Sequence, residues 1–254
     1  MKQIIRKFLI KIFNPLASKL GYQLPDAVNI SNEKGSLLNN FYNILKQIKF
    51  EPKHIVDIGA NHGTWTRAAL VFFPDAYYTL IEPQGWLQNS VKDLMDKNFK
   101  ITFHPVGAGA KPGVFKFTIT NRDDSSSFKI TETEATESGF EQIDIPVITL
   151  NQLLEGADLP VPDIIKIDAE GLDIDVLNGA DNYFGKTEIF MVEVGVVIKD
   201  FENSFIAMIN FMDSKGYRLF EITDLNRPLP VKILWLAELV FVKKGGVIDS
   251  QKFV

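Results

Sequence analysis

Residues 54–66 read HIVDIGANHGTWT, an apolar run that carries Asp57 near its end and runs into a turn containing Gly59 and Gly63 before a helical pattern begins. A short buried strand followed at once by a glycine-containing turn and a helix is the first strand-to-helix turn of a doubly wound α/β sheet. Glycines there let the backbone come close to a ligand and adopt φ values that other residues avoid. The N–H groups at the start of the helix supply hydrogen-bond donors.

Outward from this stretch the chain keeps alternating. A helical pattern from Gly35 to Phe50 leads in, with apolar positions at Leu37, Leu38, Phe41, Ile44, Leu45 and Ile48, and it stops at Pro52. Strands are expected at His54–Ile58, Tyr77–Glu82, Ile101–Val106, Asp163–Asp168 and Glu188–Val194, with helices between. Short apolar runs alternating with amphipathic helices indicate a parallel sheet covered on both faces. Between the third strand and Asp163, Val114–Thr120 and Ile143–Leu150 read as additional extended structure, and the polar stretch 121–138 reads as a long loop over the sheet's edge. Near the end, a helix at Glu202–Lys215 precedes strands at Tyr217–Ile222 and Glu238–Val242, close enough in sequence to pair antiparallel.

Charge sign bears on the ligand of the glycine turn. A dinucleotide site calls for G-x-G-x-x-G, which the turn does not match, and an acid beside a pyrophosphate is unfavourable. Asp57 stands two residues before Gly59. Its charge suits the amino and sulfonium cations of S-adenosylmethionine, which favours that cofactor over NAD. Gly59, Ala60, Asn61 and Gly63 would then form the cofactor bed, and Glu82, ending the TLIEP strand, would accept hydrogen bonds from the ribose hydroxyls. The small residues of HPVGAGA, Gly107, Ala108 and Gly109, leave room for a flat adenine, and Asp123, Asp124 and Ser125–Ser127 offer groups to its amino function or to the methionine carboxylate.

The second informative stretch is DIIKIDAEGLDIDVLNGA, residues 163–180. Alternation puts Ile164, Lys166 and Asp168 on one face of a strand. A lysine inside a covered sheet is costly unless paired, and Asp168 is an available partner. Asp168 and Glu170 fall at the strand's carboxyl end, where a carboxylate could accept a hydroxyl proton, hold the cofactor's amino group, or bind a divalent ion, magnesium rather than zinc. Asp168 and Glu170 are the catalytic candidates, Asp168 also a cofactor ligand; no metal site is assigned, and magnesium stays an open possibility. Glu193, His62 and His104 are further acid–base candidates.

At these residues the sequence resembles the FkbM family of S-adenosylmethionine-dependent methyltransferases, from about His54 to Val194. The resemblance runs through VDIGANHGTWT, TLIEP, VGAGA, the serine run, IPVITLNQLL and most specifically KIDAEGLDIDVLNGA. It implies a Rossmann-like, mostly parallel seven-stranded sheet of class I methyltransferase type with an antiparallel final strand. The implied reaction is methyl transfer to oxygen on sugars, glycolipids, polysaccharides or natural products. Asp57, Gly59, Asn61 and Gly63 match the family's cofactor motif, and Asp168, Glu170 and Gly171 its second motif. Asn151 departs from the Asp that often follows Thr-Leu there. An NAD-dependent oxidoreductase, or a cofactor- or partner-binding module without chemistry, are the competing readings.

The bulk composition is compatible with this. The 254-residue chain, 46% hydrophobic and 23% charged, is long enough for one covered α/β domain at 51–254 behind an N-terminal helical extension at 1–50. A net charge of −5 argues against a nucleic-acid partner, and with no cysteine the chain has neither disulfides nor thiolate metal sites, in keeping with the cytoplasm. The first segment carries an apolar stripe at Ile4, Ile5, Phe8, Leu9, Ile12, Phe13 and Leu16, broken by Lys and Arg and closed by Pro15. That pattern fits neither a membrane span nor a signal peptide. It leaves two readings: residues 1–21 rest on anionic lipid at the inner face of the membrane, or the helix packs on the domain or on a second copy in a homodimer.

Overall fold

The central sheet begins where the apolar runs begin. His54–Ile58 (β1), Tyr77–Ile81 (β2), Ile101–His104 (β3), Ile164–Ile167 (β7) and Ile189–Gly195 (β8) are parallel, and Leu236–Lys243 (β10) runs antiparallel between β8 and Tyr217–Asn226 (β9). The order β3-β2-β1-β7-β8-β10-β9 makes a seven-stranded sheet. The order reverses beside β1, so the carboxyl ends of β1 and β7 splay into a crevice. This computed structural model describes residues 36–97, 100–198, 202–228, 230 and 232–253. The stripe at residues 4–16, and with it the membrane and second-copy readings of residues 1–21, lies outside them.

Both sheet faces are covered, as the apolar strands require. One face packs Ile55, Ile164 and Met191 against Phe41, Tyr42 and Leu45 of Ser36–Gln47 (α1) and Ala69 of Thr64–Phe72 (α2). The opposite face packs Val56, Ile165 and Phe190 against Val176 and Leu177 of Asp173–Asn178 (α6) and Met208 and Met212 of Phe205–Ser214 (α7). Residues 55 and 56, or 164 and 165, thus serve opposite layers, the period of two expected of a strand. Gln88–Lys97 (α3) adds Val91 to the first face. α1 supplies this core, and Leu37–Val254 forms one compact unit.

The insertion between β3 and β7 departs from the expected loop. Gly107–Ala108 (β4), Gly113–Ile119 (β5) and Glu141–Ile148 (β6) form a separate three-stranded sheet, ordered β4-β6-β5. Within the stretch expected to be a loop lies a helix, Glu132–Ser138 (α4). Thr131 and Glu134 close a capping box at its start, and Gly139 ends it at φ 68°. A further short helix, Leu150–Leu154 (α5), starts at Thr149, whose hydroxyl accepts from the Gln152 N–H. Among the described residues no helix is long and apolar enough to cross a membrane.

Candidate functional site

The glycine turn is held from below by β2. The Gly59 and Ala60 N–H groups donate to the Ile81 carbonyl at 2.9 and 3.1 Å, and the Asn61 N–H donates to Glu82 Oε2 at 2.8 Å. Gly59, Asn61 and Gly63 all have positive φ (72°, 47° and 73°), so the turn alternates through the left-handed region, where glycine is free and asparagine is tolerated. A Cβ on Gly59 would stand 1.9 Å from the Asp168 carbonyl oxygen. The exits of β1 and β7 therefore touch backbone to backbone, and Asp168 N–H donates to Ile58 O at 3.1 Å.

Above this contact opens a cleft with about 630 Å³ of open space. Of the residues expected to hold a cofactor, Gly59, Asn61, Glu82, Gly107, Ala108, Asp123, Ser126 and Asp168 line it, and so does the catalytic candidate Glu170. Asp57, Ala60 and Gly63 are not among its lining residues. Asp57 is fully buried behind the turn: its Oδ2 accepts from the Thr66 hydroxyl at 2.6 Å and its Oδ1 lies 3.3 Å from Lys166 Nζ. In the parallel register Asp57 stands opposite Lys166.

Lys166 binds the two strand exits together. Its Nζ also lies 3.4 Å from Asp168 Oδ2 and 3.2 Å from the Gly59 carbonyl. Burial works to lower its pKa, but the carboxylates of Asp168, Asp57 and Glu238 outweigh it and hold the ammonium form above its ordinary range. The pairing of Lys166 with Asp168 expected from strand alternation is present, and Asp57 completes it as a triad.

Around this cation the other acids resist ionisation. Burial, with Asp168 and Asp173 nearby, pushes Glu170 up to about 8. Burial also raises Asp173 to about 7, against the pull of the Ala169 N–H on its Oδ1 at 3.0 Å. Glu193 is raised well above the carboxylate range by burial and then by Asp168 and Glu170, while Glu238, beside Glu193 on β10, is raised to about 7 mainly by burial. Glu170 sits at φ 49°, an uncommon conformation for a residue with a side chain, and its carbonyl accepts from the Ser127 hydroxyl at 3.2 Å.

Glu82, buried on the cleft floor, has a raised pKa because of burial, opposed by the N–H groups of Gln84 and Asn61. Its Oε1 accepts from Gln84 N at 3.0 Å and from the Gln84 side-chain amide at 3.3 Å, while Oε2 accepts from Asn61 N at 2.8 Å and keeps a lone pair for a further donor. Gln84 lines the same cleft; its amide donates to Asp123 O at 2.9 Å, while its buried Oε1 has no partner. That orphaned acceptor, with the acids and the glycine-backed floor, fits a ligand rich in N–H and O–H donors and positive charge. Gln84, Phe117, Phe128 and Leu172 also line the cleft and were not singled out from the sequence.

The histidines lie apart from this floor. His62 bridges Ser90 Oγ at 2.8 Å and Asp123 Oδ2 at 2.6 Å, tying the insertion loop to α3. His104 is shifted down by burial. Among the described residues no group of three or more His, Cys, Asp or Glu is arranged to hold a metal ion.

The profile of the methyltransferase FkbM domain matches residues 57–219. The crystal structure of a methyltransferase FkbM from Methylobacillus flagellatus KT superposes with a TM-score of 0.51 at 17% identity, covering 74% of this chain and 43% of that one. The chain thus spans less than half the length of that relative. A precorrin-6y C5,15-methyltransferase from Geobacter metallireducens GS-15 gives 0.46 at 11% identity over 87% of this chain and 93% of its own. The 1,6-didemethyltoxoflavin-N1-methyltransferase of Burkholderia thailandensis, solved with bound S-adenosylhomocysteine, gives 0.43 at 11% over 90% and 87%. A comparison with curated proteins finds no match.

Proposed function

The chain belongs to the FkbM methyltransferase family, and from that premise we propose that it methylates an oxygen nucleophile, a sugar hydroxyl of a glycolipid, polysaccharide or natural product, using S-adenosylmethionine. The observation that carries this reading is the sharing of one cleft by Gly59, Glu82, Asp168 and Glu170. Bound there, S-adenosylmethionine supplies a methyl group made electrophilic by its sulfonium.

The chain's own groups divide the work. Glu82 accepts from the ribose hydroxyls, and Gln84 Oε1 takes a donor of the adenosine portion. Asp168, fixed on one oxygen by Lys166, turns negative charge toward the cationic end of the cofactor. Glu170 accepts the proton of the attacking hydroxyl as its oxygen takes the methyl. A carboxyl raised to about 8 is a stronger base than an ordinary glutamate, and a cation arriving beside it favours its ionised form, bringing it toward neutral pH. The larger contribution is alignment of the two reactants away from water. No step calls for a metal ion.

The test is release of S-adenosylhomocysteine by the full chain with a panel of sugars and glycolipids. The reading expects acceptor-dependent turnover that falls sharply in Glu170→Gln while S-adenosylhomocysteine still binds. Turnover with no hydroxyl acceptor, or an undiminished Glu170→Gln, would remove it.

A further inference from the structure

Beside the cofactor cleft lies a second cleft with about 700 Å³ of open space, and its lining is chemically different. Trp86, in the 3₁₀ turn Gly85–Leu87, is 47% exposed, a large indole surface left to solvent beside polar neighbours. Asn121 and Arg122 line the same cleft, and Arg122 makes a two-pronged pair with Asp124, Nε to Oδ1 at 2.9 Å and Nη2 to Oδ2 at 2.8 Å. The Thr120 hydroxyl donates to the Arg122 carbonyl at 2.6 Å and fixes the loop that carries these groups.

We propose that this cleft is a saccharide subsite, Trp86 stacking on one pyranose ring while Asn121, Arg122 and Asp124 hydrogen-bond its vicinal hydroxyls. A sugar ring presents a C–H face and an edge of hydroxyls, each both donor and acceptor, and this pairing of one open aromatic face with planar polar groups matches both. A lipid tail would meet a mostly polar lining. A nucleic-acid strand would meet two carboxylates, Asp123 and Asp124, against one guanidinium. Gln84, Asp123 and Asp124 line both clefts, so the subsite at Trp86 adjoins the cofactor cleft. The acceptor that such a subsite fits is an oligosaccharide, with one residue held at Trp86 and another presented for reaction. This assignment rests on the sugar-hydroxyl reading above and adds a binding site outside the reacting cleft.

Binding decides it without turnover. Saturation-transfer NMR and calorimetry on the full chain, with S-adenosylhomocysteine present, are run against a panel of mono-, di- and tetrasaccharides. At least one oligosaccharide should bind, Trp86→Ala should weaken it about tenfold, and Trp86→Phe, which keeps a ring, should recover most of the loss. S-adenosylhomocysteine affinity should stay within about twofold, since Trp86 lies outside the cofactor cleft. Equal oligosaccharide affinity in wild type and Trp86→Ala overturns the proposal. So does the absence of oligosaccharide binding by wild type at millimolar concentration, or a joint loss of S-adenosylhomocysteine binding in Trp86→Ala. Methylation of a monosaccharide or of a non-sugar hydroxyl would persist in any of those cases if the oxygen-acceptor reading holds. Failure of every hydroxyl acceptor would remove that reading while the binding result stood by itself.

Discussion

Lys166 Nζ lies 3.3 Å from Asp57 Oδ1, and both side chains are buried in the middle of the sheet, on neighbouring strands and in direct register. The pair explains how two acids, Asp57 and Asp168, stand beneath a cofactor cleft without forcing the strand exits apart. Removing the ammonium would leave Asp57 as an uncompensated buried charge. Lys166→Met should therefore lose about 3–5 kcal/mol of stability, read by urea unfolding. A variant as stable as wild type would show that the pair contributes little.

Glu82 is expected to bind the cofactor as well as to hold the glycine turn. Glu82→Gln keeps the shape but replaces one acceptor oxygen, and S-adenosylhomocysteine should bind more weakly by about 1–3 kcal/mol in calorimetry. Unchanged affinity would take Glu82 out of the ribose site.

The two strand exits leave no space at Gly59, where a Cβ would meet Asp168 O at 1.9 Å. Gly59→Ala should lose cofactor binding and melt well below wild type. Gly156, at nearly the same φ of 71° but with nothing within 4 Å, serves as the control. Gly156→Ala should cost only the left-handed backbone term, about 1–2 kcal/mol. Similar melting temperatures for the two variants would contradict the close approach.

Stability and turnover should respond to pH in opposite directions. Glu170 at about 8, and Asp173 and Glu238 at about 7, bind protons more tightly folded than unfolded. Their contribution is complete below the unfolded carboxylate range and is lost as pH rises through about 7 to 8, so the chain should unfold more readily at alkaline pH than at weakly acid pH. Turnover should rise over the same interval as Glu170 ionises, and Glu170→Gln should flatten that limb. A wild-type pH–rate profile that stays flat there would exclude Glu170 as the base.

The strands and the glycine turn were legible because apolar runs ending in Gly or acid leave few alternatives, and β1 and β2 lie within a residue of their expected limits. α4 was hidden because its seven residues bury only Ala135, so no apolar period shows; the Thr131–Glu134 box was the readable signal. Lys166 announced itself as a lysine in a covered strand, and strand alternation brought Asp168 beside it. The place of Asp57, behind the turn rather than in the cleft, depends on the lateral register of β1 on β7, which no local pattern encodes. The cleft walls at Phe117, Phe128 and Leu172 were obscure for a similar reason: each is an ordinary apolar residue until the insertion folds over the sheet.

The most direct measurement follows a methyl group labelled in S-adenosylmethionine into product by NMR, with a sugar or glycolipid acceptor and the full chain. The account predicts the label in an O-methyl ether, formed by wild type and strongly reduced in Glu170→Gln. Label appearing on nitrogen or carbon instead, or an O-methyl product formed equally by Glu170→Gln, would contradict it.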